Sequence, residues 1–323
     1  MDDWRSLLRY DPVPPLLASE SKAINYFCRK DLLEETVDSV ENLWELPEAS
    51  KILRKQKDTG EWIYPGKRPG FRSGEDYDQI ETFRNLGFLV EKFALDRRHS
   101  AIQRAAEFLF SRQTTEGDLR GIYGNQYSPN YTAAMMELLI KAGYEEDPRI
   151  EHGFHWLLSM RQEDGGWAIP LRTTGEKFDM AMFQRDPIPP RRGRPSSHLA
   201  TGVALRAFAA HPRFKNSDGA RAAGELLAWR FFLPDKYPDR REVSYWTAFS
   251  FPFWFTDLLS ALDSLSRMGF SREHPQISKG LEWLIERQQP DGGWDLRMLR
   301  TKDKELGLWI GLTICRVLKR FTH

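Results

Sequence analysis

The run Trp283-Leu-Ile-Glu-Arg-Gln-Gln-Pro-Asp-Gly-Gly-Trp294 decides the fold of this chain, because the chain repeats it. Trp156 to Trp167 is the same twelve-residue block with both tryptophans in register. Phe108 to Leu119 keeps Gln113 and Gly117 and closes on Leu119, and Lys51 to Trp62 keeps Gln56, Gly60 and Trp62. Leu226 to Tyr237 is an eroded copy that retains Pro234 and Asp235 but carries Phe231 where glutamine belongs. The closing residues 62, 119, 167, 237 and 294 are 57, 48, 70 and 57 apart. Blocks at such spacings, each preceded by a helix, mark a stacked helical array.

Each block ends one helix and is followed by another. Before Trp167, Ile150, Phe154, Trp156, Leu157 and Leu158 form a helical apolar stripe over Pro148–Arg161. Ile277, Leu281, Trp283, Leu284 and Ile285 do the same over Pro275–Gln288. The Asp-Gly-Gly that follows stops the helix, because glycine takes the positive φ of such a turn. The glutamine amide is expected to bond the freed backbone groups, and the tryptophan to fold back as an apolar plug.

The second helices are expected at Tyr77–Phe93, Asn130–Gly143, Ser197–Ala210, Pro252–Gly269 and Glu305–Phe321. Several are rich in small or apolar residues, such as Ala133-Ala134-Met135-Met136, and suit the crowded inner ring of a toroid. The expected fold is therefore all-α: one α/α toroid domain over 1–323 with about five to six helical-hairpin repeats. Residues 51–323 hold the repeats and residues 1–50 a helical closure, in which Lys22 to Leu46 is expected to supply a further helical pair.

Composition narrows the function. A net charge of +1 argues against a general nucleic-acid surface. Eleven Trp and twenty Phe suit repeat packing or an aromatic-lined cavity. Two cysteines, Cys28 and Cys315, make neither a disulfide framework nor a thiolate-rich metal site. No stretch approaches the roughly eighteen to twenty apolar residues of a membrane span, and the N-terminus has no apolar signal core. These features lead to the expectation of a cytoplasmic protein with no transmembrane segment.

Repeated Gln…Gly-x-Trp blocks alternating with small-residue helices resemble the repeats of squalene-hopene cyclases and of the catalytic subunit of protein prenyltransferases. The copy Lys279-Gly280-x-x-Trp283-Leu284-x-x-x-Gln288-x-x-x-Gly292-x-Trp294 carries the resemblance most closely, and it extends over about residues 50 to 320. It implies an α/α toroid and an isoprenoid substrate. The cyclases carry an Asp-x-Asp-Asp motif before a Thr-Ala; here Thr132-Ala133 is preceded by Ser128-Pro129-Asn130-Tyr131. An amide at Asn130 cannot donate the proton that begins such a cyclisation. The prenyltransferases bind zinc through Asp, Cys and His; the matching stretch Ala248 to Trp254 has no Asp or Cys, and Lys304 stands near the histidine position. No metal and no other cofactor is therefore expected.

Chemistry in such an array is sought where the second helices begin. Asp78, Glu81 or Thr82, and Asn85 share a helical face, so Asp78 and Glu81 are candidate catalytic carboxylates; in the structural alternative Asp76 caps the helix and Glu81 pairs with a cation. Asp257 follows Phe249-Ser-Phe-Pro-Phe-Trp-Phe255, the most aromatic stretch of the chain. A carboxyl there stays protonated through desolvation, and aromatic faces such as Phe253 and Trp254 stabilise cations. In its structural alternative Asp257 faces the helix dipole. Asn130, Tyr131 and His198 are candidate substrate contacts, with Tyr127 nearby. In the long loop Ala168 to Ser196, Arg191, Arg192 and Arg194, with Arg185 before them, are candidates for holding an anionic ligand such as a diphosphate.

Three functions follow from these residues. The leading one is a terpene cyclase or prenyl-group enzyme that binds an isoprenoid and uses a noncanonical acid, Asp257. The second is a non-catalytic binding or scaffold toroid, with a protein partner. The third is a polysaccharide lyase or glycosidase, for which Asp78 or Glu81 would have to face Asp257 across a groove.

Overall fold

The computed structural model describes residues 4–67, 76–175, 186–299 and 303–322. In chain order the α-helices are α1 (Val13–Leu17), α2 (Lys22–Phe27), α3 (Pro47–Leu53), α4 (Tyr77–Phe93), α5 (Ser100–Phe110), α6 (Pro129–Leu139) and α7 (Pro148–Ser159). They continue as α8 (Pro170–Thr173), α9 (His198–Ala210), α10 (Asp218–Ala228), α11 (Leu258–Arg267), α12 (Pro275–Ile285) and α13 (Leu306–Thr322). The only paired strands among the described residues are β1 (Ala248–Phe249) and β2 (Arg297–Met298), two residues each and parallel. The all-α class of helical hairpins, as in the α/α toroids, is the class read from the blocks. The chain divides into two compact units, one formed by Met1–Ser39 with Gly224–His323 and the other by Val40–Ala223.

Within the unit Val40–Ala223, helices that lead into a block alternate with helices that follow one. The first kind is amphipathic: α5 buries Ala101, Ile102, Ala105, Ala106, Leu109 and Phe110 and leaves its other face in water. The second kind is buried nearly all round, as in Thr132–Leu139 of α6 and His198–Ala209 of α9, which pack along one another. Small side chains such as Ala133, Ala134, Ala200 and Ala204 allow that close approach. One buried charge chain ties these helices: Glu137 meets Arg206 at 2.8 Å and Lys141 at 2.7 Å, and Lys141 reaches Glu91 at 2.6 Å.

The block glutamines work as clamps. Gln56 Nε2 donates to Gly60 O at 2.9 Å and to Ala101 O at 2.8 Å; Gln113 Nε2 donates to Gly117 O at 2.9 Å and to Arg149 O at 2.8 Å. One bond closes the block's own turn and the other reaches the second residue of the next amphipathic helix. The block glycines permit this approach. Gly60 has φ +102°, and a Cβ on it would lie 2.2 Å from Arg104 O. The tryptophans fold back as expected: the Nε1–H groups of Trp62, Trp167 and Trp294 donate to Ile52 O, Leu157 O and Leu284 O at 2.8, 2.7 and 3.0 Å.

In the unit Met1–Ser39 with Gly224–His323, α11 packs on α13, and the N-terminal segment packs on α13 and bonds to Gln288 of the last block. Arg316 Nε donates to Asp31 Oδ2 and Lys319 Nζ to Asp31 O, both at 2.8 Å.

Three expectations are corrected here. The segment Lys22 to Leu46 is not a helical pair: α2 runs into a π turn at Cys28–Leu32, Glu34 takes φ +56°, and only a 3-10 turn follows at Val40–Leu43. The helix expected from Pro252 starts at Leu258, because Asp257 and Ser260 close a capping box there. In the eroded fourth block the plug is Trp246 and not Tyr237: Trp246 is 1% exposed and its Nε1–H donates to Leu233 O at 2.9 Å.

Candidate functional site

The helix starts put the sequence candidates into two groups, one in each unit. In the unit Val40–Ala223 the group begins at α4. Asp76 caps α4 by accepting the N–H of Gln79 at 2.9 Å, and its other oxygen pairs with Arg112 at 3.1 Å. Asp78 Oδ1 accepts the N–H of Tyr64 at 2.8 Å. Glu81 accepts from Asn85 Nδ2 at 3.1 Å and lies 3.7 Å from Arg84. Each carboxylate therefore has local work, and Asp76 and Glu81 have the partners that the structural alternative expects.

At the start of α6, Asn130 Nδ2 donates to Tyr123 Oη at 3.3 Å. The Tyr131 ring stands edge-on to both Tyr123, at 5.3 Å, and Phe83, at 6.2 Å. The structure thus brings Asn130 and Tyr131 together with two aromatic residues from other elements. Tyr127 lies aside from them as a loop anchor. Its hydroxyl donates to Glu116 at 2.7 Å, and burial together with that carboxylate pushes its pKa up to about 12.

His198 is buried as the first residue of α9, whose cap is Ser197 accepting the N–H of Ala200 at 3.3 Å. Arg191, Arg192 and Arg194 are exposed. Their turn is held through its backbone, since Gln162 Nε2 donates to Arg191 O at 2.8 Å and Arg194 O at 2.9 Å. The Arg192 guanidinium donates to Ser159 O at the end of α7, which occupies it as a helix cap. Arg185 lies outside the described residues.

In the other unit Asp257 is 2% exposed. Its Oδ1 accepts the N–H of Ser260 at 2.8 Å, and its own N–H donates to Ser260 Oγ at 2.9 Å. Phe253 is buried and Trp254 half-buried. Phe251 stands edge-on to Phe253 at 6.0 Å and stacks on Trp309 at 5.1 Å, while the Arg240 guanidinium lies 3.3 Å over the Phe255 ring. Asp257 is thus bordered in sequence by a packed aromatic wall, and Asp78 and Glu81 belong to the other unit.

Sequence reading missed several roles. Thr82, Thr132 and Thr201 each accept, through Oγ1, the N–H of a block's closing residue: Trp62 at 3.0 Å, Leu119 at 3.1 Å and Trp167 at 2.9 Å. A Thr near the start of each following helix was the available signal. Arg240 and Tyr123 lie in loops with no pattern to mark them. Among the described residues no helix is long and apolar enough to cross a membrane.

Residues 80–183 match the family described as squalene-hopene cyclase C-terminal domain. A terpene cyclase-glycosyl transferase fusion protein of Humicola fuscoatra is 27% identical over 235 residues, which is 71% of this chain and 16% of that protein. The chain thus spans less than a fifth of the length of that relative. Among solved structures, a protein from Actinoplanes is similar at 17% identity over 88% of both chains, with a TM-score of 0.46. A type II terpene cyclase from Scytonema, in complex with geranylgeranyl dihydroxybenzoate, is similar at 14% identity over 88% of this chain and 82% of its own, with a TM-score of 0.45. The resemblance carried by the repeated blocks is thus met, over residues 80–183, by a match to the squalene-hopene cyclase C-terminal domain family.

Proposed function

We propose that this chain binds an isoprenoid in the manner of a terpene cyclase and that Asp257 is the acid that starts its reaction. The observation that carries the reading is the burial of the Asp257 carboxyl, 2% exposed, at the end of the aromatic run Phe251–Phe255. Removal from water disfavours the charged form of a carboxyl, and an acid that protonates a carbon–carbon double bond must hold its proton until the substrate arrives. The π pair of the alkene then forms the new C–H bond, Asp257 is left as carboxylate, and the cation formed is stabilised by aromatic faces. Loss of a proton from the cyclised cation, or capture of water, discharges it. The kinship with a terpene cyclase fusion protein supports the substrate class.

One observation favours binding without catalysis. The N–H of Ser260 that Asp257 accepts is at a helix N-terminus, where the charged carboxylate is stabilised. Substitution separates the two readings, because asparagine caps a helix about as well as aspartate but carries no acidic proton. Purified protein is to be screened against farnesyl diphosphate, geranylgeranyl diphosphate and squalene, as wild type and as Asp257→Asn. A cyclised product from wild type, lost in Asp257→Asn at unchanged melting temperature, is the expected result. Binding without product in both proteins leaves a carrier. No binding of any of the three by folded wild type overturns the isoprenoid reading for these ligands.

A further inference from the structure

Gln79, the third residue of α4, is 0% exposed, and among the described residues neither its Nε2 nor its Oε1 has a hydrogen-bond partner. Other buried glutamines are tied to the backbone: Gln126 donates to Asp186 O at 3.1 Å and accepts from the N–H of Ile188 at 2.9 Å. Leaving a buried polar group unmet costs about 1–3 kcal/mol, so an amide with both ends unmet calls for an occupant.

The surroundings say what kind. The Gln79 amide lies over Gly121, where a Cβ would come within 2.5 Å of Oε1, and Gly121 has φ +133°. Gly121 opens the turn that carries Tyr123 and closes on Gly124 at 2.9 Å. Phe83 is one helical turn beyond Gln79 on the same face of α4, and it is Phe83 that meets Tyr131, which in turn meets Tyr123. Asp76, which also borders Gly121, is paired with Arg112. The Gln79 amide thus adjoins Gly121, beside a row of rings formed by Phe83, Tyr131 and Tyr123.

We propose that this place binds the uncharged hydroxyl of an alcohol with an apolar body, and that Gln79 recognises it. A hydroxyl donates to Oε1 and accepts from Nε2, so one group satisfies both ends of the amide. A diphosphate or carboxylate offers acceptors only and leaves Oε1 unmet, and a bare hydrocarbon meets neither. The isoprenoid nature of the apolar body rests on the function proposed above; the hydroxyl does not.

Farnesol, farnesyl diphosphate and the hydrocarbon farnesene are to be titrated against the full chain by tryptophan fluorescence, with thermal unfolding alongside. The proteins are wild type, Gln79→Leu and, as a second apolar variant of unbranched shape, Gln79→Met. Wild type is expected to bind farnesol about tenfold or more tighter than farnesene, and no weaker than the diphosphate. The variants are expected to bind farnesol and farnesene alike, with farnesene affinity unchanged. Equal binding of both by wild type, or the same preference in a folded variant, overturns the assignment while the isoprenoid reading stands; the amide then holds only water. Binding of none of the three by wild type overturns both readings together.

Discussion

Gln288 grips Tyr10 from both sides, although the two are 278 residues apart: its Oε1 accepts the Tyr10 N–H at 3.0 Å and its Nε2 donates to the Tyr10 carbonyl at 2.8 Å. The same Oε1 accepts the N–H of Arg9 at 3.0 Å, and a Cβ on Gly292 would lie 2.2 Å from Asp11 O. The N-terminal segment thus meets the last block as the next repeat meets the earlier ones.

Gln288→Leu strands these backbone groups, and the loss is expected to be about 2–3 kcal/mol. Limited proteolysis should then cut first within the N-terminal segment. Gln289→Leu, at an exposed position beside it, should leave both the denaturation midpoint and the cutting pattern unchanged.

Gly60→Ala asks a left-handed backbone to carry a methyl group that would meet Arg104 O at 2.2 Å. The conformational part alone costs about 1–2 kcal/mol, and the clash adds to it. Gly307 has nothing within 4 Å of a built Cβ and lies in α13. Gly307→Ala should therefore stabilise by about 0.4–1 kcal/mol. The opposite signs are checked by chemical denaturation.

Glu137 is 4% exposed and Arg206 is 3% exposed. Burial pushes the Glu137 carboxyl up, but Arg206 and Lys141 together outweigh it and hold the group below its usual range. Glu137→Gln leaves a buried guanidinium without its countercharge and should cost about 3–5 kcal/mol. Glu137→Leu combined with Arg206→Met removes both charges and should recover most of that loss. A double-mutant cycle on unfolding free energies measures the difference.

Stability should also fall in mild acid through His211. Its Nδ1 accepts the N–H groups of Arg213 at 3.1 Å and Phe214 at 3.2 Å, and Nε2 faces Glu145 O at 3.0 Å. Burial lowers its pKa from 6.5, against the opposing pull of Glu145 O. A lowered folded pKa means that the contribution is whole above the unfolded value of about 6.5 and is lost as pH falls from there through the folded value. His99, lowered by burial and by Arg104, adds to the slope in the same direction. Melting temperatures between pH 8 and 5 should decline, and His211→Asn, whose amide oxygen can still accept, should flatten part of that decline.

The block residues were legible because their roles are local. A glutamine six residues before a tryptophan, with glycine between, needs only a helix end to act on, and α4 has the bounds expected for it. The start of α11 was legible in principle, since Asp257-Leu-Leu-Ser260 has capping-box spacing, but the aromatic run drew the boundary back to Pro252. The fourth plug was misplaced because lengthening a surface loop costs little, so the fold tolerates an insertion that moves the tryptophan from the expected slot to Trp246.

By itself the sequence determined the helical repeats and the clamp and plug roles in the blocks Lys51–Trp62 and Trp283–Trp294. Those follow from periodicity, turn chemistry and the donor capacity of one side chain. Only the tertiary structure decided that the clamp of Gln288 closes on Tyr10, that Arg192 caps α7, and that the Gln79 amide is buried over Gly121 with both ends unmet. Whether a polar group is satisfied depends on residues brought to it from elsewhere in the chain, and no local pattern records who they are.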